Sequence, residues 1–262
     1  MIRSKKYEFP ISVLITNYNK ASYLSRSINR LLKQNYENFE IILYDDCSTD
    51  TSLEIIKKFK KIKVIRNKKK KYLNPALNQI DGVIKAFYKS KGKLLCLLDA
   101  DDFFDLRKLE FVNNYFQKNN NSKVLYNFPK IYKTYFKYKN RIKNKIWPTI
   151  FPTSCITIER ESFLNFIKYI RPKSFPNLEI DARLIIFFKF YYGEYNLLNM
   201  KLTQYNYDSN GITSGIKKFS KLWWFRRYQA YTYMNYIKKI KKKDINVSFD
   251  YLITKLINNF LI

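Results

Sequence analysis

Three carboxylates stand close together in residues 97–102, which read Leu-Leu-Asp-Ala-Asp-Asp. Asp99, Asp101 and Asp102 directly follow the apolar run 94–98, which is typical of a buried strand. Such a cluster repels itself unless a cation binds there. Oxygen ligands in Asp-x-Asp spacing suit Mg²⁺ or Mn²⁺, ions that join carboxylates to substrate phosphates. We therefore predict a divalent-metal site, the alternative being a helix N-cap with acids in its first turn.

A second acidic cluster, Asp-Asp-Cys-Ser-Thr-Asp, occupies residues 45–50 after the apolar run 39–44. Its last three residues can cap the next helix. That role does not account for Asp45 and Asp46, which stand where the strand ends. A carboxylate there can accept a hydrogen bond from a nucleotide base or from a ribose hydroxyl.

The elements that must position these clusters alternate between strands and helices. Strands are predicted at residues 11–16, 39–44, 63–66 and 93–98. Helical periodicity between them indicates βαβ units and a parallel sheet, in which ligands bind at the carboxyl ends of the strands. The loop 16–19, with an aromatic side chain able to stack on a base, closes the first strand at that edge.

The second half of the chain is less regular. Beyond residue 122 short strands are predicted near 124–128 and 154–158, and helices at 161–170 and 181–191. The segment 223–227, Trp-Trp-Phe-Arg-Arg, precedes a lysine-rich helical stretch at 231–243. These aromatic side chains either pack that helix onto the sheet or dock on an anionic membrane surface.

Composition narrows the classes of chemistry. The 262 residues carry a net charge of +29, which implies an anionic partner such as a phosphorylated molecule, a membrane face or nucleic acid. No nucleic-acid recognition motif is present, so we expect no nucleic acid. The chain has no histidine, so proton transfer must use carboxylates, lysine or tyrosine.

Three cysteines lie far apart in sequence, which is typical of a reduced, intracellular protein. The N-terminal segment is charged and lacks a signal-peptide core, and no apolar run is long enough to span a bilayer. We therefore expect a cytoplasmic protein, either free or peripheral at the inner face of the plasma membrane.

Residues 11–19, 45–50 and 98–102 together resemble the inverting family 2 of nucleotide-sugar glycosyltransferases, which has the glycosyltransferase A fold. The resemblance covers residues 9–116 and continues more thinly to about residue 205. It implies an α/β fold with a Rossmann-like, mostly parallel sheet, flanked by helices and extended by a helical C-terminal region.

The resemblance also implies a division of the chain. Residues 1–205 form the catalytic domain, with a nucleotide-sugar-binding half at 1–122 and an acceptor-binding half at 123–205. Residues 206–262 form a basic helical extension packed on it.

Site roles carry over by position from the family. Thr16 and Tyr18 would line the base pocket, and Asp45 or Asp46 would hold the base, with a slight preference for Asp46. The chain departs from the family at Cys47, where glycine or a small polar residue is usual.

The Asp-x-Asp pair has two roles in the family. Asp101 would ligate the divalent ion, Mn²⁺ or Mg²⁺, on the diphosphate. Asp99 would contact the ribose or the metal's water shell.

An inverting transfer needs a base for the acceptor hydroxyl. Asp181 lies where the family carries such a base, with Glu179 as the second candidate. Arg183 would assist the diphosphate or hold Asp181. The alternative is that Asp181 only caps its helix and pairs with Arg183.

The sequence thus predicts a metal-dependent inverting glycosyltransferase. It would move a sugar from a nucleotide-sugar donor, most simply a UDP-sugar, to a hydroxyl of a cell-surface glycan or lipid-linked acceptor. Two alternatives remain: a nucleotidyltransferase on a related sheet, or a catalytically dead basic protein that binds membrane or nucleic acid.

Overall fold

A computed structural model describes residues 9–131, 148–206, 216–245 and 247–261. One eight-stranded sheet runs through the described chain in the order β3-β2-β1-β4-β7-β6-β8-β5. The strands are β1 Ile11–Asn17, β2 Phe39–Asp45, β3 Ile62–Arg66, β4 Leu94–Asp99, β5 Phe103–Phe104, β6 Val124–Ile131, β7 Ile156–Glu159 and β8 Leu197–Tyr205.

Eight α-helices of the described chain accompany the sheet. They are α1 Ala21–Leu32, α2 Ser52–Lys57, α3 Pro75–Lys89, α4 Lys108–Lys118, α5 Arg160–Tyr169, α6 Ile180–Phe187, α7 Lys221–Ile240 and α8 Phe249–Leu261. Two single 3₁₀ turns, Thr153–Cys155 and Pro172–Ser174, and a π-helical turn, Phe188–Tyr192, complete the described elements.

The first four strands in sequence form a parallel block, β3-β2-β1-β4. β1 and β4 are buried along nearly their whole length and are mostly apolar, because helices cover both of their faces. Their register places Thr16 beside Asp99 and Asn17 beside Asp45. The predicted acidic clusters therefore end side by side at one edge of the sheet.

Side chains of β1 alternate between two cores, as the pleat of a strand requires. Leu14 points into a core shared with α3, α5, α6 and α7. Val13 and Ile15 point into the opposite core, shared with α1, α2 and α4. The helices thus form layers on both faces of the sheet.

The second half of the sheet curls back toward the first. β5 starts four residues after β4 ends, a reach of at most about 14 Å. In the sheet, however, β5 lies four strand positions from β4, which is about 19 Å in a flat sheet. The curl brings the end of β8 and the acidic loop between β4 and β5 together, since Phe103 pairs with Gln204.

The α/β fold with helices on both faces and a helical C-terminal region is confirmed. One predicted boundary is wrong, because the helix predicted to begin near 231 already begins at Lys221 in the structure. β5, β8 and α8 were not predicted. No helix in the described ranges combines the length and the apolar character needed to cross a membrane.

Candidate active site

Asp99 lies at the end of β4 in a network that joins three elements. Its Oδ1 accepts hydrogen bonds from Thr16 Oγ1 on β1 (3.0 Å) and from Gln79 Nε2 on α3 (2.8 Å). Its backbone N–H donates to Ser154 Oγ at 2.9 Å. Burial and the neighbouring Asp101 raise the pKa of Asp99 to about 6. The network fixes this carboxyl group at the strand edge.

The next two acids lie in the loop between β4 and β5. Asp101 Oδ2 forms an ion pair with Lys20 Nζ at 2.8 Å. Asp102 Oδ1 accepts a hydrogen bond from the backbone N–H of Asn206 at 2.8 Å, and the Asn206 side chain donates to the Asp101 carbonyl. Burial, with the charges of Asp101 and Asp99, raises the pKa of Asp102 well above its ordinary value.

Asp45 and Asp46 occupy different environments despite being adjacent. Asp45 is fully buried, and its two oxygens accept hydrogen bonds from Asn17 Nδ2 (2.7 Å), Ser48 Oγ (2.6 Å) and the Ser48 N–H (3.1 Å). Asp46 accepts one from Asn67 Nδ2 at 3.0 Å. Asp45 therefore stabilises the loop. Of the two residues, the geometry favours Asp46 as the carboxylate that would hold a nucleotide base.

Tyr18 and Cys47 flank this carboxylate. Tyr18 is 42% exposed, and Lys70 Nζ lies 3.3 Å from the centre of its ring, so that face already accommodates a cation. Cys47 has φ of 59°, in the left-handed region that glycine adopts without strain. That conformation explains why glycine is usual at this position, and the chain reaches it with a cysteine.

Asp181 lies in the first turn of α6, and Glu179 is the N-cap residue of that helix. Asp181 Oδ1 accepts a hydrogen bond from the Ala182 N–H at 2.7 Å. Burial, together with the smaller effect of the charges of Glu179 and Asp99, raises its pKa to about 7. A carboxyl with that pKa can take up a proton near neutral pH.

Glu179 is engaged by a cation from the C-terminal region. Its carboxylate forms an ion pair with Arg226 on α7, and only 7% of the residue is exposed. Glu179 therefore ties α6 to α7, and Asp181 stays the preferred candidate for the proton acceptor.

Arg183 does not occupy the position proposed for it. Its side chain is fully buried, and Nε donates to the Leu178 carbonyl at 2.9 Å. Its two terminal nitrogens donate to the carbonyls of Ile170, Arg171, Pro172 and Phe175. A guanidinium used in this way organises the turn after α5, which contradicts the prediction that it contacts the diphosphate or holds Asp181.

Tyr205, the last residue of β8, shows that the acids from both halves of the chain converge. Its pKa is raised first by burial and then by the negative charges of four carboxylates. These are Asp102, Asp99, Asp101 and Asp181. The first turn of α6 and the acidic loop therefore both lie near the end of β8.

The acidic loop fits a divalent cation by the chemistry of its donors. Its carboxylate oxygens are hard ligands, and Asp101 already binds a cation, the Lys20 ammonium. Among the described residues, no three acidic, cysteine or histidine side chains form a complete metal cage. Mg²⁺-type sites often use one or two carboxylates and take their remaining ligands from substrate phosphates and water.

A buried lysine at the start of α4 stabilises the segments that surround the acidic loop. Lys108 is fully buried, and its Nζ donates to the Ser154 carbonyl (2.6 Å) and to Thr203 Oγ1 (2.9 Å). Burial lowers its pKa to about 8. Because Ser154 also binds Asp99, Lys108 links β8 to the strand end that carries the acidic pair.

The sequence analysis did not identify several residues that contact the acids of the site. Lys20, Gln79 and Ser154 come from a loop, a helix and a 3₁₀ turn whose patterns contain no chemical motif. Only the placement of Lys20 next to the first strand offered a signal. The other two become visible once the fold has brought distant segments together.

Comparison with known proteins agrees with this geometry. The family model described as Glycosyl transferase family 2 matches residues 12–181. The chain is 39% identical over 110 residues to an uncharacterized glycosyltransferase of Rickettsia bellii, a match spanning 42% of this chain and 15% of the relative. The chain likewise matches less than half the length of further curated relatives.

Two solved structures share the fold at low sequence identity. The S. aureus TarS fragment 1-349, in complex with UDP-GlcNAc, is 16% identical and superposes with a TM-score of 0.65 over 93% of this chain and 78% of that chain. The mannosyltransferase PcManGT of Pyrobaculum calidifontis, in complex with GDP-Man and Mn²⁺, is 16% identical with a TM-score of 0.60, over 97% and 72%. The sheet with its acidic edge is thus a glycosyltransferase A fold, and the chain belongs to glycosyl transferase family 2.

Proposed function

We propose that this glycosyltransferase is metal-dependent and inverting, and that it uses a nucleoside diphosphate sugar, specifically a UDP-sugar, as donor. The observation that carries the proposal is the convergence of Asp99, Asp101 and Asp181 on one space beside Tyr205. This convergence supports the proposal because the groups assigned to the donor and the assigned proton acceptor come from opposite halves of the chain. The nucleotide-sugar complexes of TarS and PcManGT support the donor class.

The donor would lie along the ends of β1, β2 and β4. Tyr18 would stack on the base, and Asp46 would accept its N–H group. Thr16 and Asp99, joined by a hydrogen bond, would contact the ribose. A divalent ion, when bound by Asp101, would neutralise the negative charge that develops on the departing diphosphate.

The acceptor hydroxyl would be activated by Asp181. As its oxygen attacks the anomeric carbon, Asp181 takes the proton and the bond between that carbon and the diphosphate oxygen breaks. A single displacement from the opposite side inverts the configuration at the carbon. Three other carboxylates near this space are engaged, since Asp101 and Glu179 pair with cations and Asp99 accepts two side-chain hydrogen bonds.

For the acceptor, we propose a hydroxyl of a growing cell-surface glycan or of a lipid-linked precursor. The net charge of +29 supports an anionic or membrane-associated acceptor. Family membership favours sugar transfer over the nucleotidyltransferase alternative.

Calorimetry tests the donor and the metal together. We expect UDP-GlcNAc or another UDP-sugar to bind in the presence of Mn²⁺, and to lose most of its affinity when EDTA replaces the ion. GDP-Man serves as the comparison donor. Equal affinity with and without EDTA would contradict metal dependence, and tighter binding of GDP-Man would contradict the uridine donor.

A further inference from the structure

Helix α8 shows an apolar stripe to solvent. Phe249, Leu252, Leu256 and Phe260 are each between 50% and 81% exposed. At 100° per residue these four positions fall within about 80° of the helix circumference, so they form one continuous stripe. Ile245 and Val247, which precede the helix, are also about half exposed.

The face by which α8 packs is the more polar one. Thr254 and Asn258 are its buried residues. Asp250 forms an ion pair with Arg227 and accepts a hydrogen bond from the Tyr231 hydroxyl, both on α7. Arg227 Nε also donates to Thr254 Oγ1 at 3.2 Å. These polar contacts fix the rotation of α8, so the outward stripe is built into the fold.

The sequence on the N-terminal side of the stripe is strongly basic. From residue 217 to 261 the chain has eleven lysine and arginine residues and two aspartates. Lys239 and the run 241–243 are exposed just before α8, and Lys255 is exposed within it, beside the stripe. An apolar strip bordered by cations matches the acyl and headgroup layers of an anionic lipid surface.

We propose that the outward stripe of α8 docks this protein on an anionic lipid bilayer. Phe249, Leu252, Leu256 and Phe260 would enter the acyl boundary, and the neighbouring lysines would contact lipid phosphates. In the basic-aromatic segment 223–227, by contrast, the two arginines are occupied by Glu179 and by Asp250 and Thr254 of the protein. The lipid surface is therefore assigned to α8.

This docking does not depend on the transferase reaction, so the two can fail separately. The test is co-sedimentation of the full chain with phosphatidylglycerol vesicles and, separately, with phosphatidylcholine vesicles. We expect binding to the anionic vesicles that weakens at high salt, and little binding to the zwitterionic ones. Asp181→Asn should bind vesicles as the unsubstituted protein does.

A variant within the stripe isolates the apolar contribution. Leu256→Glu should lower the partition coefficient on phosphatidylglycerol by about tenfold or more, because a buried leucine contributes about 1.5–3 kcal/mol. The matched control is Leu73→Glu, which changes another exposed leucine outside α8. The double variant Leu252→Ser, Leu256→Ser adds no charge and should act in the same direction, with an unchanged thermal melt.

Two results would overturn the assignment. Equal sedimentation of the unsubstituted protein, Leu256→Glu and Leu73→Glu would show that α8 does not reach the lipid. Light scattering that finds a dimer, reduced to a monomer by Leu256→Glu without any change in vesicle binding, would assign the stripe to a second copy of the chain.

Discussion

Asp99 and Asp181 come from opposite halves of the chain, yet the charge of one contributes to the raised pKa of the other. Burial comes first among the causes for both groups. In an apolar environment a carboxylate is a stronger base than in water, and its attraction for a nearby cation is also stronger. The same burial would thus serve both the proposed metal-binding edge and the proposed proton acceptor.

The first prediction concerns the proposed base. Asp181→Asn should lower kcat by about 10²–10⁴-fold, the usual contribution of a general base, and leave donor affinity nearly unchanged. Steady-state rates and donor calorimetry measure the two effects. Glu161→Gln, at an exposed acid in the first turn of α5, is the control and should keep its rate. A nearly normal rate in Asp181→Asn would remove this residue from the mechanism.

The second prediction is a pH dependence. Asp181 must be ionised to accept a proton, and its pKa is about 7. The value of kcat/KM should therefore rise with pH, with a midpoint near 7, and then level off. Any residual activity of Asp181→Asn should lack this rise. A profile without a rise near neutrality in the unsubstituted protein would contradict the assignment.

The third prediction concerns Lys20, which pairs with Asp101 at 2.8 Å. A divalent ion must displace this ammonium, so Lys20→Ala should bind Mn²⁺ several-fold more tightly without donor, about 1 kcal/mol. Titration calorimetry with Mn²⁺ alone measures the change. Lys33→Ala, at an exposed lysine just after α1, is the control. Unchanged or weaker binding would mean that Asp101 is not the ligand.

Residue types were easier to predict than residue roles. The acids after β2 and β4 were identified from their spacing, and Asp181 from the family resemblance. The charges of Asp99, Asp101 and Asp181 all act on Tyr205, and the roles of these residues stay predictions. The sequence does not show which polar side chains are buried. Burial turns Asp45 into a loop support and Arg183 into a ligand for backbone carbonyls, although neither residue type is usual in a protein interior.

At the scale of elements, apolar periodicity located the parallel block to within a residue or two. It failed for β8 and β5. β8 carries Asn199, Lys201 and Gln204 among its apolar residues, and β5 is two residues long. Strands of this kind are stabilised mainly by pairing with their neighbours in the sheet, so their own sequence gives little indication of a strand.

The fourth prediction addresses the support beneath the acidic loop. Lys108→Met should lower the free energy of unfolding by about 1–3 kcal/mol, because two buried hydrogen bonds from a charged donor are lost. The Ser154 carbonyl and Thr203 Oγ1 each keep one other donor, Thr203 and Asn127. Urea unfolding measures it. Lys118→Met, at the exposed end of the same helix, should change stability by about 0.5 kcal/mol or less. Equal stabilities would mean that the Lys108 network is not a structural link.

At the scale of the whole molecule, α7 shares the larger core of the catalytic region. Tyr231, Tyr233, Met234 and Ile237 are buried there, and the Tyr233 ring lies 5.3 Å from that of Phe175. The predicted boundary at residue 205 therefore separates segments that share one core. The sequence analysis expected the C-terminal region to pack on the catalytic domain, but it could not identify which side chains of that region enter the core.

The fifth prediction arises from that shared core. A chain ending at residue 205 should lose cooperative thermal unfolding, because it exposes the side chains that α7 covers. A chain ending at residue 245, which retains α7 and lacks α8, should keep it. Differential scanning calorimetry compares the two. A cooperative transition in the shorter chain would show that α7 is an independent addition.

The three residues between β4 and β5 both present the acids and close the curled sheet. An insertion there would loosen the constraint that keeps β5 paired with β8, and a deletion would pull β5 away from β8. Activity and folding are consequently bound to the same short span of backbone. The length of this three-residue connection should therefore tolerate insertion or deletion less well than the lengths of loops that lie outside the sheet.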